Sequence, residues 1–130
     1  MKLTKPLISL ALAALLVISL SACASKDEPA ETIELYHQAL VDKDQERLIN
    51  LSCTDWESQA LQDLDSFVSV ETTLVDFSCQ TTDDQGDAAW VTCEGAISAS
   101  YDGEVTEFSL SGRTYIAIRQ GGEWRMCGYQ

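Results

Sequence analysis

Residues 54–80, Thr54-Asp55-Trp56-Glu57-Ser58-Gln59-Ala60-Leu61-Gln62-Asp63-Leu64-Asp65-Ser66-Phe67-Val68-Ser69-Val70-Glu71-Thr72-Thr73-Leu74-Val75-Asp76-Phe77-Ser78-Cys79-Gln80, change their hydrophobic period partway through. Trp56, Ala60, Leu61, Leu64, Phe67 and Val68 recur at helical spacing, the stripe that one face of an α-helix buries. Asp55, Glu57, Gln59, Gln62, Asp63 and Ser66 take the opposite face. Thr54 with Glu57 three residues on has the capping-box pattern, in which hydroxyl and carboxylate satisfy the free N–H groups of a first turn. Val75, Phe77 and Cys79 then alternate with Asp76, Ser78 and Gln80, the period of a half-buried strand. One switch of period in mid-chain predicts helices first and an antiparallel sheet after them. That is the α+β class, with the helices covering one side of the sheet.

The flanking sequence agrees. Upstream, Ile33, Tyr36, Leu40 and Val41 keep helical spacing to about Asp42, and Pro29 with its acidic neighbours suits a first turn. Asp42-Lys43-Asp44 is a polar break with Asp44 as the cap of a short second helix carrying Leu48, Ile49 and Leu51. Downstream, Asp83-Asp84-Gln85-Gly86-Asp87 is rich in turn residues, and the next strand puts Ala89, Val91, Cys93, Gly95 and Ile97 on one face. Tyr101-Asp102-Gly103-Glu104 predicts a tight Asp-Gly hairpin. A long third strand follows with Phe108, Leu110, Ile116 and Ile118 on its apolar face. Gln120-Gly121-Gly122-Glu123 turns the chain into a last strand, Trp124 to Tyr129. Four strands are expected.

The N-terminus reads differently. Lys2 and Lys5 precede fourteen uncharged residues, Leu7 to Leu20, and small residues close the segment. This is the layout of a secretory signal, and the apolar run is shorter than the roughly 20 residues that span a bilayer. Leu20-Ser21-Ala22-Cys23 resembles the lipobox of bacterial lipoproteins, in which the thiol is alkylated by a diacylglyceryl donor and cleavage falls just before the cysteine. The resemblance implies that residues 1–22 are a signal peptide. Residues 23–28 are then the lipidated Cys23 with a polar tether, and residues 29–130 form one domain. It places that domain on the extracytoplasmic face of the cell membrane or outer membrane, held there by the lipid on Cys23.

Charge excludes several classes of partner. The chain carries a net charge of −13, and loss of residues 1–22 leaves six basic against 21 acidic residues, a net charge of −15. No Lys or Arg occurs between Arg47 and Arg113. Nucleic acid needs cations to neutralise phosphates, which excludes it as a partner, and the same shortage disfavours direct binding to anionic lipid headgroups. The acidity itself suits solubility in an exposed compartment.

Five cysteines make an odd count in a secreted chain. With Cys23 given to lipid, Cys53, Cys79, Cys93 and Cys127 remain, and four thiols allow three pairings. No CxxC pair or Cys/His cluster has zinc-ligand spacing, so disulfides are expected and no metal. Cys79 and Cys93 sit on the apolar faces of neighbouring strands, almost symmetric about the intervening turn, which predicts a Cys79–Cys93 bond. Cys53 and Cys127 then pair and tie the helical half to the sheet.

Leu35-Tyr36-His37-Gln38-Ala39-Leu40-Val41-Asp42-Lys43-Asp44 with Leu48, and the ending Tyr115-Ile116-Ala117-Ile118 through Gly121-Gly122-Glu123-Trp124-Arg125-Met126-Cys127-Gly128, resemble the nuclear transport factor 2-like, or cystatin-like, superfamily. The resemblance covers about residues 29–130. It implies a curved sheet that wraps a long helix into a cone with a pocket at its open end. Isomerases, dehydratases, subunit adaptors and many proteins of unknown role share that fold, so fold alone does not decide function.

Enzymes of the superfamily place an Asp or His, often with a Tyr, inside the cone. Here the one histidine, His37, lies beside the apolar stripe of the first helix and reads as a half-exposed side chain. Asp76 alternates with Val75 and Phe77 and reads as solvent-facing. Asp83-Asp84-Gln85-Gly86-Asp87 lacks the ligand alternation and distal Glu of a calcium loop and reads as a solvated turn. Asn50-Leu51-Ser52 matches a glycosylation acceptor, a signal that loses its force behind a bacterial leader. Trp56, Trp90 and Trp124 read as core or sheet-surface aromatics. With no catalytic constellation and no cofactor fingerprint, the sequence points to a non-enzymatic binding or interaction module with an envelope protein or a small molecule as partner. The alternative is an isomerase- or dehydratase-type enzyme using Asp76, His37 or a Tyr.

Overall fold

The computed structural model describes residues 28–130. Residues 1–27, which include the expected signal peptide, Cys23 and all but the last residue of the expected tether (23–28), lie outside the described residues. Three helices come first: α1 (Glu28–Asp42), α2 (Gln45–Asn50) and α3 (Glu57–Phe67), with a 3-10 turn at Thr54–Trp56 leading into α3. Five antiparallel strands follow: β1 (Glu71–Asp84), β2 (Ala88–Tyr101), β3 (Glu104–Ser109), β4 (Thr114–Gln120) and β5 (Glu123–Tyr129). Among the described residues no helix is long and apolar enough to cross a membrane.

The apolar face of α1 packs against the sheet, where Ala30, Ile33, Tyr36 and Leu40 are all buried. Two polar ties fix its position. Glu34 accepts the backbone N–H of Cys79 in β1 at 2.9 Å, and Thr72 donates its hydroxyl to the Val41 carbonyl at 2.9 Å. Asp44 caps α2, accepting the Arg47 N–H at 3.1 Å, as its place in the polar break predicts. The expected Thr54–Glu57 capping box does not form. Thr54 spends both its N–H and its hydroxyl on the Gln120 side-chain oxygen, at 3.0 and 3.3 Å. Its turn tightens into a 3-10 conformation, and α3 starts at Glu57 without a side-chain cap.

The sheet runs β1-β2-β4-β5, with β3 paired to the second half of β2. Five strands replace the four expected, because the predicted long third strand is two. β2 pairs with β4 from Ala88 to Thr92 and with β3 from Ala96 to Tyr101. The chain therefore leaves β2 after Leu110, whose N–H donates to the Gly95 carbonyl at 2.9 Å, and rejoins it at Thr114 after a turn with Gly112 at φ +79°. That turn resets the alternation: Tyr115 and Ala117 are buried, whereas Ile116 and Ile118, expected inside, are half-buried on the outer face. Phe108 is likewise largely exposed. A bulge in β1 between Val75 and Ser78 has a similar effect, putting Leu74, Phe77 and Cys79 against the core and leaving Asp76 exposed at φ +48°. Further register shifts at Thr81/Asp83 and at Ile116/Ala117 help curl the sheet around α1. The Asp102-Gly103 turn joins Tyr101 to Glu104 as a two-residue hairpin with both residues at positive φ.

The four remaining cysteines stand at disulfide distance in two pairs: Cys79 with Cys93 (S–S 2.00 Å) on opposed residues of β1 and β2, and Cys53 with Cys127 (S–S 1.95 Å). Around the second pair the backbone is also joined. Cys53 donates its N–H to the Met126 carbonyl at 2.8 Å, and Met126 donates to Leu51 at 2.7 Å.

Candidate functional site

Curling the sheet over α1 and α3 leaves a cavity of about 360 Å³ between them. α1 contributes Tyr36, His37 and Leu40; α3 contributes Asp63, Ser66 and Phe67. Ile97, Tyr101 and Phe108 line it from β2 and β3, Leu110 and Arg113 from the turn before β4, and Tyr115, Met126 and Tyr129 from the last two strands. The same turn that breaks the predicted third strand thus carries Arg113 to the cavity and points Tyr115 inward.

His37 is buried, not half-exposed as its position on the stripe suggested, because Phe77 and Tyr115 close over it (ring centroids 5.4 and 5.0 Å away). Its Nδ1 lies 2.8 Å from the Ile33 carbonyl. A carbonyl only accepts, so Nδ1 carries the hydrogen and Nε2 keeps the lone pair. Burial lowers the His37 pKa to about 4, with the nearby Arg113 charge adding to the effect against the pull of the Ile33 bond. At neutral pH the ring is an uncharged imidazole.

Asp63 and Tyr36 line the same wall of the cavity and influence each other electrostatically. The Trp56 indole N–H donates to the Tyr36 hydroxyl at 3.1 Å, and Gln59 donates to Asp63 at 2.9 Å. Burial pushes the Tyr36 phenol above the ordinary range, opposed by the Trp56 bond and reinforced by the Asp63 charge. Burial also raises Asp63, against hydrogen bonding from Gln59 and Tyr36 and the charge of Arg113.

Tyr115 is different. It is 1% exposed, and its hydroxyl has no hydrogen-bond partner in the protein. Burial raises its pKa; Arg113 opposes this electrostatically without reaching hydrogen-bond geometry. The Arg113 guanidinium lies over the Tyr129 ring, 4.7 Å from its centroid. A buried donor left unmatched beside a cation, in a cavity walled by aromatic rings, is equipped to hold an oxygen-bearing small molecule.

Asp76, the carboxylate singled out in the first strand, is exposed and not part of this cavity. Asp83 to Asp87 are exposed too, with the Asp84 carboxylate accepting the Gly86 N–H at 2.8 Å in a self-contained turn. Trp124 is buried under Arg119, Trp56 supports Tyr36, and Trp90 is half-buried on the sheet. Among the described residues no group of three or more His, Cys, Asp or Glu could hold a metal ion. Asp63, Arg113 and Tyr115 are the residues that sequence reasoning missed. Asp63 was assigned to the solvent face of its helix, while Leu61 and Val68, assigned to the apolar face, are exposed. Arg113 did carry a signal, as the first cation after Arg47.

No family model matches the chain, and no curated protein sequence does. Solved structures do match in fold. A nuclear transport factor 2-like protein of unknown function in nutrient uptake from Rhodospirillum rubrum superposes with a TM-score of 0.58 at 18% identity, over 77% of this chain and 93% of that one. A candidate ketosteroid isomerase from Shewanella frigidimarina gives 0.57 at 15% identity, over 80% and 94%. An uncharacterised protein with a cystatin-like fold from Caulobacter vibrioides gives 0.55 at 12% identity, over 77% and 82%. The chain has the nuclear transport factor 2-like, cystatin-like fold. At these identities the likeness extends to fold alone, and proteins of that fold include both enzymes and non-enzymes.

Proposed function

We propose that this protein is a lipid-anchored module of the bacterial cell envelope that binds a small organic molecule inside its cone. The observation that carries the reading is the Tyr115 hydroxyl. A buried hydroxyl without a partner costs about 1–3 kcal/mol, and in this protein it lies on the wall of a cavity large enough for a ligand. The lipobox at Cys23 supports the anchor, and the two remaining cysteine pairs suit an oxidising compartment. The test is a small-molecule screen followed by amide NMR on the full chain. Binding should shift the signals of residues 110–116 and of Tyr36 and His37. Ligands that shift only the outer face of the sheet would sink the reading.

A second reading is favoured by one observation. Asp63 is a carboxylate with a raised pKa inside the cavity, next to Tyr36, the arrangement a proton-abstracting isomerase needs. Against it, Gln59 already donates to that carboxylate at 2.9 Å. Turnover of any bound ligand that is abolished by Asp63→Asn would favour the enzyme.

A further inference from the structure

Only part of the polar equipment of the cavity is free to meet a ligand. Asp63 accepts from Gln59, and the Tyr36 hydroxyl accepts from Trp56. The Nδ1 of His37 is spent on Ile33. Of the donors lining the cavity, the Tyr115 hydroxyl is fully buried and unpartnered, and the guanidinium of Arg113 stands two residues earlier. Among the described residues, no carboxylate lies within salt-bridge distance of Arg113; its contact is the face of Tyr129. A guanidinium whose contact is a ring face has N–H groups left for another partner. The site therefore offers positive charge and donors at one point, while the Asp63 carboxylate in the same cavity is held by Gln59.

The remaining walls set the body of the ligand. Phe67 and Phe108 meet edge to face, ring centroids 5.6 Å apart, and Leu110 and Met126 fill in below. Such surfaces favour a flat ring over a flexible polar chain.

Resting on the binding reading above, we infer that the ligand is a small aromatic or alicyclic carboxylate, its carboxylate bridging the Tyr115 hydroxyl and the Arg113 guanidinium and its ring packed against Phe67 and Phe108. Recognition is local. The rest of the chain is strongly acidic and repels anions at a distance, so the preference has to come from these two groups at close range. A charged donor paired with a carboxylate makes a stronger, shorter bond than either makes with a neutral amide. A cationic ligand would instead put two positive charges together at Arg113.

The experiment is calorimetry on the full chain as purified, with three probes that share one ring system: naphthalene-2-carboxylate, its primary amide and naphthalen-2-ylmethylamine. The expected result is at least tenfold tighter binding of the carboxylate than of the amide, and a loss of that preference in Arg113→Gln. Tyr115→Phe, which keeps the ring volume, should reduce the preference even if Arg113→Gln folds poorly. Equal or tighter binding of the amide or the amine would overturn the ligand class while leaving the cavity as a binding site. If none of the three binds and the screen finds no other occupant of the cone, the inference falls together with the binding reading.

Discussion

Gly95 in β2 lies directly against the peptide of Asp76 in β1. A Cβ on Gly95 would stand 2.4 Å from the Val75 carbonyl oxygen and 2.5 Å from that of Asp76. Gly95 is the single residue opposite the two-residue bulge of Asp76 and Phe77, and both Gly95 and Asp76 adopt positive φ, +93° and +48°. Its carbonyl also receives the N–H of Leu110, the point at which the chain leaves β2. The close approach thus fixes the bend of β1, the end of β3 and the position of the turn that brings Arg113 to the cavity. Gly95→Ala is expected to destabilise the protein by about 3 kcal/mol, combining backbone strain with a forced shift of the facing strand. Gly86, at φ +89° with nothing within 4 Å of a Cβ, supplies the control. Gly86→Ala should cost only about 1 kcal/mol from conformation alone. Denaturant midpoints that move equally for the two would remove the argument for a packing constraint at Gly95.

The buried His37 makes stability depend on pH in a defined direction. Its pKa is about 4 in the fold against 6.5 for an exposed histidine. Between those values the unfolded chain binds a proton that the folded protein refuses, so stability is full above pH 6.5 and falls as the pH drops toward 4. The loss at the bottom of that window is about 3 kcal/mol. Asp63 acts in the opposite sense, since its raised pKa means that protonation favours the fold. His37→Phe should remove the histidine slope and leave the carboxylate contribution. Unfolding free energies of the two proteins at pH 7 and pH 4.5 check this. As the only histidine in the chain, His37 can also be titrated directly by NMR, and a pKa near 6.5 would contradict its burial.

The class of the fold was legible in the sequence because it depends on period, and period survives local detail. The change from helical to alternating spacing between Phe67 and Val75 is the change from α3 to β1. What could not be read were the points where strands bulge or change partner, since these depend on contacts distant in sequence. Leu110–Arg113 carries no strong turn signal except Gly112, yet it decides whether Tyr115 or Ile116 faces inward. His37 was misjudged for a related reason, since its burial is set by Phe77 and Tyr115, which arrive from two different strands. The site followed the same rule. Its residues come from α1, α3 and the region of that unforeseen turn, so no local motif announced it.

The two cysteine pairs close loops of very different length, with sequence separations of 74 and 14 residues. Chain entropy alone assigns about 4 kcal/mol to the Cys53–Cys127 bridge and about 3 kcal/mol to Cys79–Cys93. The longer bridge also clamps the Leu51–Cys53 segment to β5 beside the Met126 hydrogen bonds. Cys53→Ala with Cys127→Ala should therefore cost more stability than Cys79→Ala with Cys93→Ala, measured by denaturant unfolding without reductant. Peptide mapping under non-reducing conditions should recover these two pairs and neither of the other pairings.

The lipid anchor has a direct test at Cys23, which lies outside the described residues. Expressed in a bacterium, the chain should lose residues 1–22, partition into detergent and gain the mass of its acyl chains. Two or more chains hold a protein stably at a membrane where one does not, so Cys23→Ser should release the domain or leave its precursor unprocessed. A mature N-terminus elsewhere, or an unmodified Cys23, would defeat the anchor. The proposed extracytoplasmic address would then rest only on the cysteine pairs.

The Tyr115 hydroxyl separates a structural role from a binding role by opposite signs. If the hydroxyl served the fold, Tyr115→Phe would remove a useful bond and lower stability. In this structure it has no bond to lose, and deleting an unmatched buried polar group relieves its desolvation cost. Tyr115→Phe is therefore expected to leave the free protein as stable or about 1 kcal/mol more stable. The same change should weaken a bound carboxylate about tenfold, because the ligand loses a donor that the site kept available for it. Thermal unfolding with and without ligand measures both effects on one pair of proteins. A variant that is less stable when free and unchanged in affinity would mean that Tyr115 belongs to the core and not to the site.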